Sequence, residues 1–90
     1  MVGLYVIMVY DVGAERVARV LKVARCYLHW VQNSVLEGEL TPGNFERLKA
    51  EVSDVIDQEK DSVTFYILRT TKYLTKVTIG TVKGVPEIFL

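Results

Sequence analysis

Residues 4–12 read LYVIMVYDV, an unbroken apolar and aromatic run from Leu4 to Tyr10 that delivers one carboxylate, Asp11, at its end. The run alternates little and is rich in Val, Ile and Tyr, which predicts a strand buried on both faces in the middle of a sheet. Gly13 breaks it. From Ala14 to Leu28 the spacing turns helical: Val17, Val20, Leu21, Ala24 and Leu28 fall within an arc of about 100° at 3.6 residues per turn. Arg16, Arg19, Lys22 and Arg25 lie on the opposite side, so a basic helix face begins just after Asp11.

Residues 29–37, HWVQNSVLE, are β-prone but carry Gln32, Asn33 and Ser34 in the middle, and Gly38 ends them as a second strand. Those three polar residues fit either an active site or a strand presenting amides at a subunit interface. Thr41-Pro42 is a helix start, a capping hydroxyl before a proline whose fixed φ suits the first turn. Phe45, Leu48, Val52, Val55 and Ile56 carry that helix to about Asp57. Ser62 to Leu68 and Tyr73 to Ile79 are two further strands. The pattern is βαβαββ-like, and its economical packing is an α+β, ferredoxin-like sheet with two helices on one face, as a single domain over residues 1–90.

A chain of 90 residues buries only about 60–65% of its unfolded surface, so a partner subunit would relieve a shortage of core. The apolar tail from Val85 to Leu90 is suited to add a strand to a sheet edge, its own or a partner's, and the partner's is favoured. A homodimer with exchanged C-terminal strands would also cover the helix-free face of each sheet. Cys26 is the one cysteine, which excludes an intramolecular disulfide and a multi-thiolate zinc site and suits a reducing cytoplasm. The N-terminal run lacks a basic lead and is about half a membrane span, so neither signal peptide nor membrane anchor is expected.

Eleven basic residues balance eleven acidic ones, but unevenly. Residues 37–61 hold three basic and eight acidic side chains, between flanks with four and two, and four and one. With one histidine, and no Ser-His-Asp, glycine-rich phosphate loop or HExxH pattern, the common nucleophilic and zinc hydrolase classes drop out. Asp11 itself reads first as a turn former or helix cap. In a two-fold dimer one Asp per chain becomes a facing pair, whose mutual repulsion a divalent cation or a shared proton would remove, and Mg²⁺ needs little more than one or two carboxylates and water. Tyr10 is either a neighbour of that site or a packed aromatic.

The segments YVIMVYDV (5–12) and RVARVLKVARCYLHWVQNSVLEGEL (16–40), with DSVTFYIL (61–68) further on, resemble the small CRISPR-associated protein 2 family. The strand ending in Tyr-Asp, the RVxxxLK helix and the VQxSVxEGEL segment stand at the family's separations. The resemblance implies a ferredoxin-like homodimer with exchanged tails, acting in spacer acquisition beside the CRISPR-associated integrase. It implies Asp11 as ligand of one Mg²⁺ shared across the dimer axis, Tyr10 as its catalytic neighbour, and Arg16, Arg19 and Lys22 as nucleic-acid contacts. Two departures stand out: Leu36 where many members have Phe, and Trp30 where some have a basic residue. The expected activity is metal-dependent cleavage of RNA or DNA. The alternative is a non-catalytic adaptor bridging the integrase on DNA, and a third reading is a ferredoxin-like small-ligand regulator.

Overall fold

The computed structural model describes residues 3–70 and 73–81. Along the chain run β1 (Leu4–Asp11), α1 (Ala14–Ala24), β2 (His29–Gln32), β3 (Val35–Leu40), α2 (Pro42–Val55), β4 (Ser62–Thr70) and β5 (Tyr73–Gly80). The strands form one antiparallel sheet in the order β2-β3-β1-β4-β5. The apolar run that opened the sequence is indeed the central strand, with Met8 paired to Leu36 on one side and Phe65 on the other. The first four strands and two helices make the βαββαβ ferredoxin-like arrangement, and β5 extends it beyond β4.

Two expectations need correction. The stretch 29–37 is not one strand but the start of a hairpin: Asn33 takes a positive φ of 39° and the chain reverses there, so the order is βαββαββ. Asparagine tolerates that left-handed conformation, which is why a turn could form without glycine. Gly38 does not end a strand either; it sits inside β3 opposite Val6, where a Cβ would press against Leu28 Cδ2 at 3.3 Å. Secondly, β1 is buried on one face only. Leu4, Val6, Met8 and Tyr10 point into the core, whereas Tyr5 and Asp11 are exposed and Ile7 and Val9 half-buried on the face without helices.

Both helices cover the inward face. Val20, Ala24 and Leu28 from α1 and its exit turn, and Phe45, Leu48, Val52 and Ile56 from α2 and its end, join Val6, Met8, Val63 and Phe65 in one apolar cluster. Phe45 meets Phe65 edge to face at 5.3 Å between ring centres, and burying each ring contributes about 2–3 kcal/mol. The Thr41 hydroxyl caps α2 as its sequence predicts, accepting from the Asn44 N–H at 3.1 Å. α1 stops at Ala24 rather than Leu28, and the Leu28 N–H still reaches the Ala24 carbonyl at 2.8 Å in the exit turn. No described helix is long and apolar enough to cross a membrane. The tail strand expected over Val85 to Leu90 lies outside the described residues.

Candidate metal and nucleic-acid site

Asp11 occupies the last position of β1, exposed, opposite Ser62 in the first position of β4. Strand alternation sends its carboxylate to the helix-free face and Tyr10 to the core. The structure therefore separates these neighbours. Tyr10 is 7% exposed, and its hydroxyl donates to the Asn33 carbonyl at 3.2 Å while its N–H donates to the Ser34 carbonyl at 3.1 Å. Burial pushes its phenol pKa up, which keeps it a neutral donor. Of the polar interruption in the second predicted strand, Gln32 closes β2 and Asn33 and Ser34 form the hairpin turn, whose carbonyls grip the end of β1.

The turn after Asp11 is held from across the fold by Asp61, the first residue of the DSVTFYIL segment, to which the sequence assigned no role. Asp61 is fully buried, and its carboxylate accepts from the Gly13 N–H at 2.9 Å, from the Asp57 N–H at 2.8 Å and from Arg16 through Nε and Nη2 at 2.5 and 2.8 Å. A carboxylate at the start of α1 also complements the helix dipole, replacing the side-chain cap that Gly13 lacks. The Arg16 hydrogen bonds, aided by the two backbone donors, hold the Asp61 carboxyl well below the usual carboxylate range, and Asp61 raises the Arg16 guanidinium in turn. On the other side the Asp61 carbonyl accepts from the Thr81 N–H at 2.8 Å. This approach requires glycine before it: Gly80 has φ +89°, and a Cβ there would collide with the Asp61 carbonyl oxygen. One acid therefore ties together the turn after β1, the first turn of α1, the loop before β4 and the end of β5.

Arg16 is consequently engaged inside the fold, its side chain one-fifth exposed, with Glu15 also within 3.3 Å. Arg19 and Lys22 are exposed on α1, as the helical spacing indicates. Arg25, also exposed, places its guanidinium 5.9 Å from the Trp30 ring centre. Among the described residues no three His, Cys, Asp or Glu side chains cluster to enclose a metal ion. A cation at Asp11 would take one hard carboxylate from this chain, a donor set that fits Mg²⁺ with a largely aqueous shell and does not fit zinc.

Fold and site define a small ferredoxin-like α+β protein with an exposed acid at the end of its central strand and a basic helix just beyond it. Its family emerges from comparison. The profile of the CRISPR associated protein Cas2 family matches residues 4–76, and the chain belongs to that family. It is 59% identical over 81 residues to the CRISPR-associated endoribonuclease Cas2 of Thermotoga maritima, covering 90% of this chain and 93% of that one. The protein of the same name from Dictyoglomus turgidum is 54% identical over 87 residues, covering 97% and 100%. Among solved structures, a Cas2 crystal structure superposes with a TM-score of 0.73 at 40% identity, covering 98% and 99% of the two chains. Cas2 from Streptococcus pyogenes does so at 0.66 and 37%, covering 71% and 84%.

Proposed function

We propose that this chain is a homodimeric CRISPR adaptation protein that cleaves phosphodiester bonds of RNA or DNA at the Asp11 position. The carrying observation is that Asp11 stands exposed at the end of the central strand, in a turn whose backbone is fastened by the buried Asp61. The relatives named endoribonucleases support the reaction class. Asp11 would hold Mg²⁺, one ion shared with the Asp11 of a second copy brought to it by exchange of C-terminal strands. When bound, that ion supplies Lewis-acid charge to a phosphate and makes a coordinated water more acidic.

The chain's own groups have distinct parts. Asp11 provides the anionic oxygen on a rigid strand, and Arg19 and Lys22 grip phosphates from the first helix. Tyr10 and Arg16 act one step removed: Tyr10 holds the strand end against the hairpin turn, and Arg16 holds the turn through Asp61. Asp11→Ala, assayed on RNA and DNA with Mg²⁺ and with chelator, should abolish cleavage while leaving oligonucleotide binding intact. Unchanged cleavage would overturn the assignment. A second reading, an adaptor that bridges the CRISPR-associated integrase on DNA without cutting, is favoured by one observation: the helix layer carrying Arg19 and Lys22 is across the sheet from the face of Asp11. Spacer acquisition that survives Asp11→Ala would select it.

A further inference from the structure

Trp30 and Val31 are each about half exposed, 50% and 51%, on the edge strand β2, a place where exposed apolar side chains ordinarily carry a liability. The strand pairing shifts register between Trp30 and Gln32, and such bulges re-aim side chains. The indole is also fixed. Its Nε1–H donates to the Asn33 carbonyl at 2.9 Å, the same oxygen that accepts from the Tyr10 hydroxyl at 3.2 Å. One carbonyl, on a residue at positive φ, thus links the exposed ring to the strand end that carries Asp11. Arg25 lies against the ring, within the range at which a cation is attracted to an indole face. Arg25 further lines, with Lys22, Ala18, Leu21 and Cys26, a shallow groove along α1.

We infer that Trp30 and Arg25 form a second contact for single-stranded nucleic acid, an unpaired base stacking on the indole while Arg25 and Lys22 take the flanking phosphates. The reason is matched chemistry. A ring held rigid and half in solvent loses little entropy on stacking, and two cations beside it complement a phosphate chain, not an apolar peptide. A duplex keeps its bases stacked on one another and offers the indole no free face. The tie through Asn33 sets this contact at the same end of the sheet as Asp11, on the side of the helix layer. The inference needs the chain to bind nucleic acid, as the reading above has it, but not to cut it.

Trp30 is the one tryptophan of the chain, so its fluorescence reports on this contact alone. In the Asp11→Ala full-length chain, which separates binding from cutting, RNA and DNA single strands of about ten nucleotides should quench it, and the matching duplexes should not. By anisotropy of a labelled single strand, Trp30→Ala should weaken binding about tenfold, Trp30→Phe should restore most of it, and Arg25→Ala should weaken it and lower the salt dependence. The RNA and DNA arms distinguish which backbone is preferred. Binding seen by anisotropy without quenching, equal quenching by duplex, or undiminished affinity of Trp30→Ala would overturn the inference and leave the surface to a protein partner. Failure of every oligonucleotide to bind would overturn it together with the nucleic-acid reading of the protein. Loss of cleavage in Asp11→Ala bears on the cutting alone.

Discussion

Replacing Asp61 by Asn keeps the shape of a fully buried side chain and removes its charge, so the change tests the fastening around Asp11 without opening a cavity. The carboxylate accepts four hydrogen bonds, two from Arg16 and one each from the Gly13 and Asp57 N–H groups. An asparagine offers one acceptor oxygen and turns an NH₂ toward some of those donors. Leaving buried donors unsatisfied and a buried pair broken costs about 3 kcal/mol. A domain of 90 residues has roughly 5–13 kcal/mol in all, so the loss is a large fraction. It should lower the thermal midpoint by about 12–24 °C and move the urea midpoint with little change in slope, at matched chain concentration.

The pH dependence supplies a sharper check. The folded pKa of Asp61 is depressed below its ordinary 3.8, so its stabilisation is complete above that value and is lost as pH falls toward the folded pKa. The amide of the Asp61→Asn variant does not titrate. The stability gap between wild type and Asp61→Asn should therefore be widest near neutrality and shrink below about pH 4. A gap under about 1 kcal/mol at pH 7, or one that widens on acidification, would refute the role given to Asp61.

Gly80→Ala should destabilise by more than about 1 kcal/mol, because the backbone there is at φ +89° and the added carbon meets the Asp61 carbonyl; urea unfolding measures it. Thr41→Ala should cost about 1 kcal/mol by removing the α2 cap, and Thr41→Ser should restore it, both read from urea midpoints. Arg19→Gln with Lys22→Gln should weaken oligonucleotide binding and reduce the slope of log affinity against log salt by about one to two, with no change in unfolding midpoint. Deleting residues 82–90 should convert a dimer to a monomer in sedimentation, and a dimer that persists would remove tail exchange from the proposal.

Local periodicity located most of the elements. The apolar run at Leu4, the 3.6-residue spacing of both helices and the Thr41-Pro42 start are all properties of neighbours in the chain, and each marks an element of the fold, although α1 ends at Ala24, short of Leu28. The hairpin was illegible because its turn uses Asn33 and Ser34 in place of glycine, so a strand with a polar middle and two strands with a polar turn have the same residues. Arg16 shows a different limit. On a helical wheel it belongs with Arg19 and Lys22, and its buried partner stands 45 residues away.

Spacing within short segments and linked motifs were enough for the family, the two helices and the acid at the end of the first strand. What each residue faces follows from the packing of strands and helices. It sends Tyr10 inward and Asp11 outward, takes Arg16 out of the solvent-exposed set, and makes Asp61 the buried anchor of the site. The roles of Arg16 and Asp61 come from hydrogen bonds between segments 45 and 48 positions apart, which no local pattern encodes because the energy of a buried carboxylate depends on the donors that folding brings around it.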